Sequence, residues 1–221
     1  MAGMEASVRR LTPKGLATRE RIVEAAALLI YEHGVQNTNN EAIRKATGVS
    51  GSQLSRHFPT KESLIRAVIA WRADSVIRAH RIPALGHLDS FAALRLWADS
   101  YIEREDLCRG GCSYGSLAGE VLKNEPGVRG DLADGFERWE DLFRAGLRAM
   151  RDRGELAADA DPDRLTYVLM AAFQGGMLLN QAAGSVEPLR AALNGALAHV
   201  ESFATGTAEK TGPSARNVCP G

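Results

Sequence analysis

The sequence lacks the features of secreted and membrane proteins. Its three cysteines, Cys108, Cys112 and Cys219, are an odd number and too few for a disulfide framework. No segment holds the ~18 consecutive apolar residues that a transmembrane helix needs. The basic stretch from Met1 to Lys14 is not followed by the apolar core of a secretory signal. These absences predict a reduced, cytoplasmic protein that does not bind a membrane.

The sequence also has little that indicates catalysis or metal binding. It contains no nucleophile elbow, phosphate-binding loop or zinc-protease motif. The small acidic cluster of Glu103, Glu105 and Asp106 is typical of a solvated helix end. Five histidines show no ligand-like spacing near the cysteines, namely His33, His57, His80, His87 and His199. We therefore expect no enzymatic activity, no cofactor and no metal site.

The net charge of zero hides an asymmetry along the chain. Residues 1–80 carry twelve Lys and Arg against seven Asp and Glu, whereas residues 81–221 carry fifteen against twenty. A basic first third on a neutral chain either reflects chance surface composition or indicates that this end meets a polyanion.

Apolar residues recur with the period of a helix throughout, and no alternating run predicts a strand. The pattern predicts an all-α protein with a three-helix head and a larger helical body. We expect a flexible arm over 1–16, a helix-turn-helix domain over 17–62, a ligand-binding and dimerisation domain over 63–204, and a disordered tail over 205–221. Predicted body helices follow Thr60 and span about 90–107, 114–122, 126–153, 164–180 and 186–203.

The head contains a helix-turn-helix pattern. A first helix, Thr18 to His33, is followed by capping residues before a short helix that ends at Thr47. The turn Gly48-Val49-Ser50 then leads into the short polar helix Gly51 to His57, whose buried anchor is Leu54. Such a helix can lie in the major groove of B-DNA. The alternative is a head that serves only as a structural bundle.

Side chains in and around this helix suit DNA recognition. Gly51 and Ser52 permit close approach to bases, Gln53 can pair with adenine, and Arg56 can pair with guanine. Phosphates can be held at helix N-termini by Thr38, Asn39, Ser50 and Lys61.

The stretch from Ala17 to Trp71, about a quarter of the chain, resembles the DNA-binding domain of the TetR family of bacterial repressors. The matching residues are Thr18 to Ile22, Ala25-Ala26, Gly34-Val35, Thr38, Ile43, Gly48 to Ser50, Leu54, His57-Phe58 and Lys61 to Leu64. The resemblance implies a homodimer that reads a palindromic operator. It also implies that an inducer bound to the helical body releases the DNA. Repression and activation are not separable from the sequence.

The same resemblance implies a role for individual positions. Phosphate contacts fall on Thr38, His57 and Lys61, and base-reading positions fall on Gly51, Ser52, Gln53, Ser55 and Arg56. There are two departures from the family. Ser55 replaces a common tyrosine that touches the DNA backbone, and Arg44 replaces a common alanine. Arg44 is either a further phosphate contact or a surface residue whose stem packs on its helix.

The segment from Gly111 to Ala118 is similar to one of a lincomycin-resistance-repressor-like (LmrA-like) group within the family. This similarity implies a lipophilic small-molecule inducer. A pocket between helices would be mostly apolar with a few polar groups. The candidate lining residues are Trp71, Trp97, Tyr101, Tyr114, Trp139, Phe143, Phe173, Gln174 and Met177. Each of them, taken alone, is more typical of plain core, whereas aromatic residues on several successive helices together indicate a pocket somewhere among them.

Two further features of the body have alternative interpretations. The helices at about 164–180 and 186–203 carry apolar faces with small residues, so we expect them to form the dimer interface as a four-helix bundle; the alternative is internal core. Cys108 and Cys112 are either structural or a thiol switch, which would need an exposed thiolate. The competing hypothesis for the whole chain is a helical enzyme or small-molecule-binding protein with a purely structural head.

Overall fold

A computed structural model describes residues 12–104 and 111–206, and within these ranges the regular secondary structure is helical. The predicted all-α class is confirmed. One isolated bridge joins Leu156 and Ala204, and short 3₁₀ helices span Pro83–Leu85 and Pro126–Val128. The α-helices are α1 (Pro13–His33), α2 (Asn40–Thr47), α3 (Gly51–His57), α4 (Lys61–His80), α5 (Phe91–Ile102), α6 (Ser113–Asn124), α7 (Arg129–Asp152), α8 (Pro162–Ala183) and α9 (Glu187–Glu201).

Local capping chemistry sets the boundaries of α2 and α3. The Asn39 side chain accepts a hydrogen bond from the Ala42 amide and begins α2. Gly48 ends it with φ +71°, a left-handed conformation that suits a residue without Cβ. Ser50 then caps α3, whose Leu54 is buried beside Ile43 in the core of the head. The turn therefore forms as its sequence predicts.

The start of α1 differs from the prediction. The helix begins at Pro13 and is capped by Thr12, whose side chain accepts a hydrogen bond from the Gly15 amide. The predicted cap, Thr18, instead lies inside the helix and donates to the Lys14 carbonyl oxygen. Proline is favoured in the first helical turn because its missing N–H has no partner there. The predicted flexible arm over 1–16 is thus too long, since residues 13–16 are helical.

Helix α4 connects head and body. It packs on both α1 of the head and α7 of the body. The body's core lies mainly between α4, α5, α7 and α8, where Trp97, Trp139, Phe143 and Phe173 are almost fully buried. This aromatic packing holds the body helices at fixed distances from the helix that leads to the head.

Helices α8 and α9 pack closely as an antiparallel pair. Gly176 of α8 permits this approach, because a Cβ at this position would lie 3.0 Å from the Leu189 Cα. The outer surface of α8 exposes apolar residues: Tyr167 is 56% exposed, Leu178 66% and Leu179 58%. The faces that the sequence predicted for the dimer interface, such as those of Leu169 and Leu193, are thus internal core of the subunit, and the outward apolar residues of α8 are different ones.

Several predicted helix ends shift by a few residues. Helix α5 stops at Ile102 instead of continuing to Leu107, and the helix predicted to open at Pro126 starts as a 3₁₀ turn before α7. Most of the predicted tail over 205–221 lies outside the described residues. Thr205 itself is ordered by hydrogen bonds to the Glu155 and Gly154 carbonyl oxygens.

Candidate functional site

Helix α3 presents an exposed polar face. Ser52, Gln53, Ser55 and Arg56 are exposed while Leu54 is buried. The buried anchor fixes the rotation of this short helix, so these four side chains point away from the head together. Gly51 adds no side chain, and its backbone lies near the Arg44 guanidinium, whose Nε is 3.9 Å from the place a Cβ would take.

Gln53 is engaged in a way that the sequence reasoning did not include. Its Oε1 accepts a hydrogen bond from the Ser50 amide at 2.8 Å, and the Ser50 Oγ accepts from the Gln53 amide at 3.2 Å. This reciprocal capping box satisfies two amides at the start of α3. A bidentate pair with adenine uses both the oxygen and the nitrogen of the amide. Gln53 would have to leave the cap to make that pair, whereas Arg56 has no such prior partner.

The head carries basic side chains without carboxylate partners. Among the described residues, no ion pair involves Arg44, Arg56 or Lys61. Lys61 is the first residue of α4, next to its unpaired backbone amides. Positive charge at this surface is therefore not neutralised by the carboxylates of residues 12–104 and 111–206, which suits an anionic partner.

The remaining predicted DNA contacts are partly used in the fold. Thr38 is half-buried and donates to the Gly34 carbonyl oxygen at 2.9 Å, and Asn39 caps α2. His57 is half-buried, and its Nδ1 has no hydrogen-bond partner among the described residues. Burial, with Arg56 and Arg19 nearby, lowers the pKa of His57, so the ring is neutral at pH 7. A neutral imidazole can contact a phosphate only through an N–H.

A pocket of about 340 Å³ that opens to the surface lies between the body and α1, and we call it the inner cavity. Four of the nine predicted pocket residues line it, namely Tyr101, Trp139, Phe173 and Met177. The rest of its wall comes from α1, α4, the residues that follow α5 and those at the start of α6, and consists of Tyr31, Arg72, Ser75, Val76, Ala79, Arg104, Gly111, Cys112 and Ser113. Its size falls within the range of small-molecule sites.

The other predicted pocket residues do not line the inner cavity. Trp97, Tyr114 and Phe143 are completely buried core. Tyr114 donates its hydroxyl to the Leu132 carbonyl oxygen. Trp71 is half-buried with the Arg72 guanidinium over its ring. Gln174 lies behind the wall, where its amide nitrogen is 3.6 Å from the Cys112 Sγ.

A larger depression of about 850 Å³, the outer groove, lies between the C-terminal end of α4, the following loop and α7. It contains none of the predicted pocket residues. Its lining mixes apolar residues such as Leu88 and Leu142 with charged ones such as Arg81, Asp89 and Arg138. Arg138 is paired with Asp74. The inner cavity, with its aromatic wall, is the better candidate for a lipophilic ligand.

His80 is a central residue that the sequence reasoning did not single out. It is 2% exposed, and its Nδ1 donates to the Val76 carbonyl oxygen at 2.8 Å. Its Nε2 accepts from the indole N–H of Trp97 at 2.9 Å and of Trp139 at 3.2 Å. Burial lowers the pKa of His80, and these contacts require the neutral ring. The sequence carries one indication of this burial, because His80 follows Ile77 by three positions and so lies on the apolar face of α4.

One hydrogen bond joins the helix beside the inner cavity to the head. The Glu120 carboxylate of α6 accepts from the Val35 amide at 2.6 Å, between α1 and α2. The N-terminal end of the same helix, at Cys112 and Ser113, borders the cavity. A second link runs from Arg72, whose Nη2 donates to the Ala27 carbonyl oxygen of α1 at 2.6 Å. Cavity wall and head are therefore connected through two direct polar contacts.

Cys112 is a poor candidate for a thiol switch. Burial raises the pKa of its thiol, which disfavours the reactive thiolate. Cys108, its predicted partner, lies outside the described residues. In the described part of the chain, no three His, Cys, Asp or Glu side chains are grouped as metal ligands, and no helix is long and apolar enough to cross a membrane.

Comparison with known proteins places both parts of the chain in one family. Residues 22–68 match the family model described as bacterial regulatory proteins, tetR family. Residues 91–196 match the one described as tetracyclin repressor-like, C-terminal domain. These two segments contain the helix-turn-helix and most of the body.

Individual relatives extend over most of the chain. The HTH-type transcriptional repressor DhaR of Mycobacterium sp. (strain GP1) is 24% identical over 207 residues, which cover 90% of this chain and 95% of DhaR. The nucleoid occlusion factor SlmA of Escherichia fergusonii is 30% identical over 162 residues, 72% of this chain and 80% of SlmA. The crystal structure of a TetR transcriptional regulator from Chloroflexus aurantiacus superimposes with a TM-score of 0.72 at 27% identity. It covers 87% of this chain and 98% of that one.

Proposed function

The chain belongs to the TetR family of bacterial transcriptional regulators, and we propose that it is a repressor that binds a palindromic operator as a homodimer. As a member of this family it is a regulator and not an enzyme. The observation that carries the proposal is the exposed polar face of α3 beside basic side chains that no carboxylate of the described residues neutralises. A structural bundle would have no need for such a face.

Within this proposal the residues divide into two groups. Arg56 reads a base edge, with Gly51, Ser52 and Ser55 permitting close approach. Lys61, Thr38, Asn39, Ser50 and His57 position the phosphate backbone. Gln53 contributes chiefly by holding the start of α3 through its capping box. Arg44, which lies beside Gly51, adds a further phosphate contact.

The dimer forms through α8 and α9 of both subunits. The exposed apolar residues of α8, Tyr167, Leu178 and Leu179, support this assignment because a second copy would cover them. A two-fold dimer also presents two α3 helices to half-sites about one helical turn of DNA apart.

The inducer is a lipophilic small molecule that occupies the inner cavity, as in the lincomycin-resistance-repressor-like group. The segment that carried this resemblance provides Gly111, Cys112 and Ser113 to the cavity wall. Binding there displaces α6, which contacts the head through Glu120, and thereby changes the spacing of the two heads.

An electrophoretic mobility shift on duplex DNA from the upstream intergenic region, repeated over a salt series, tests DNA binding. Arg56→Ala should cost about 1–3 kcal/mol and relax preference at one base pair. Lys61→Ala should weaken binding to all sequences and lower the salt slope by about one. Lys123→Ala, at the far end of α6, is the control and should change neither. The absence of any duplex binding at low salt would refute the proposal.

A further inference from the structure

The wall of the inner cavity includes basic as well as aromatic side chains. Arg72 and Arg104 both line it, and none of its described lining residues is an aspartate or a glutamate. Several basic groups of the body have acidic partners, as in the pairs of Arg138 with Asp74 and of Arg95 with Glu201. A small-molecule site whose described lining includes Arg72 and no carboxylate differs from the purely lipophilic pocket that the sequence predicted.

Arg72 is held in a fixed position at the cavity wall. Its Nη2 donates to the Ala27 carbonyl oxygen at 2.6 Å. Its guanidinium lies 5.5 Å from the centroid of the Tyr31 ring and 5.1 Å from that of the Trp71 ring. Among the described residues, no carboxylate lies within ion-pair distance of this guanidinium. A guanidinium has five N–H donors, and one of those of Arg72 is used in the hydrogen bond to Ala27 within the described residues.

Such an arrangement costs free energy until a counter-charge arrives. Arg72 is half-buried, and a partly desolvated cation without a partner is unfavourable. Two titratable groups of the described lining, Cys112 and Tyr101, do not supply the charge, because burial raises the pKa of both and keeps them neutral.

We infer that the inner cavity binds an organic anion, whose acidic group pairs with Arg72 and whose lipophilic body contacts Trp139, Phe173 and Met177. If the protein is the ligand-released repressor proposed above, this organic anion is its inducer, and the inference rests on that proposed function. Charge-assisted hydrogen bonds to a guanidinium are short and directional, so the acidic group fixes the orientation of the molecule. The aromatic wall provides most of the buried area.

Two fluorescent probes that differ only in charge test this inference. Anilinonaphthalene sulfonate is a lipophilic anion, and N-phenylnaphthylamine is the same ring system without the sulfonate. The wild-type protein should bind the sulfonate roughly ten-fold or more tightly than the neutral probe, and Arg72→Gln should remove most of this preference. Arg72→Lys should retain part of it. Arg148→Gln, on an exposed part of α7 and outside the cavity lining, is the control and should retain all of it.

The location of the probe is tested with two bulky substitutions. Val76→Phe fills the inner cavity and should block both probes, whereas Ala149→Phe in the outer groove should block neither. Thermal unfolding of each variant shows that it is folded. Equal affinity for the two probes, an equal loss of both with Arg72→Gln, or blockage only by Ala149→Phe would overturn the inference.

Failure of the inference is distinguishable from failure of the proposed function. A protein that shifts its upstream DNA and is released only by neutral compounds is a ligand-responsive repressor without the anionic preference. A protein that prefers the sulfonate through Arg72 but binds no duplex keeps the anion site and loses the operator-binding role.

Discussion

Replacing His80 by leucine should destabilise the protein strongly, because the side chain satisfies two buried indole N–H groups. Trp97 and Trp139 are 0% and 1% exposed, and both donate to the His80 Nε2. Each donor left unpaired costs about 1–3 kcal/mol, so the loss in the free energy of unfolding should be about 2–6 kcal/mol. This is a large share of the ~5–15 kcal/mol that stabilises a typical protein.

Urea unfolding, followed by circular dichroism and tryptophan fluorescence at one fixed protein concentration, measures this loss. His33→Leu on the exposed end of α1 is the control and should change stability by less than about 0.5 kcal/mol. His80→Gln retains an acceptor and should fall between the two. A loss below about 1 kcal/mol for His80→Leu would show that the hydrogen bonds from the two indoles to His80 contribute little to stability.

The same residue gives stability a defined dependence on pH. Burial holds the pKa of folded His80 below its ordinary value of 6.5, so the unfolded chain takes up a proton at this position before the folded one does. The contribution is complete above pH 6.5 and is lost as the pH falls toward the folded-state pKa, by at most about 1.4 kcal/mol per pH unit. His57, whose pKa is also lowered, requires a parallel measurement on His57→Gln.

Three further substitutions test other contacts. Gly146→Ala should cost about 1–3 kcal/mol of stability by urea unfolding, because its Cβ would lie 2.7 Å from the Leu88 carbonyl carbon, which is backbone and cannot rotate away. Glu120→Ala should speed hydrogen exchange of the Val35 amide about ten-fold in NMR, since it removes the acceptor of that N–H. Leu178→Glu should convert the dimer to a monomer in light scattering, because it places a charge on the proposed interface.

Each of these changes has a matched control. Gly130→Ala lies on the same helix with no atom near its Cβ and should be neutral or slightly stabilising. Glu32→Ala removes an exposed carboxylate at the end of α1 and should leave the Val35 amide protected. Leu122→Glu changes a leucine that is 41% exposed on α6 and should leave the dimer intact. If a control variant changes the measured stability, exchange rate or oligomeric state as much as its test variant does, the contact proposed for the test variant is contradicted.

Features that depend on neighbouring residues were predictable from the sequence. The left-handed Gly48 and the Ser50 cap each involve atoms within a few residues, and both form as expected; within the predicted run of capping residues, Asn39 is the one that caps α2. Thr12-Pro13 is itself a helix-start signal, and α1 begins there, five residues before the predicted Thr18. The spacing of Gln53 from Ser50 is likewise that of a capping box.

Features that depend on distant parts of the chain were not predictable in the same way. His80 meets tryptophans 17 and 59 positions away, and no local pattern reports such partners. The aromatic residues of the body share one helical period, so the sequence could not separate Tyr101, which lines the inner cavity, from Trp97, which is core. That no carboxylate of the described residues pairs with Arg72 is likewise a property of the packed structure.

The hydrogen bond from Val35 to Glu120 has a thermodynamic consequence. Helix α6 borders the inner cavity at its first turn and contacts the head two turns later, at Glu120. If cavity occupancy lowers operator affinity through this helix, operator binding must lower the affinity of the cavity for its anion by the same factor. The protein on DNA would then require a higher inducer concentration than the protein free in solution, and the concentration at which genes respond would depend on the number of operators in the cell.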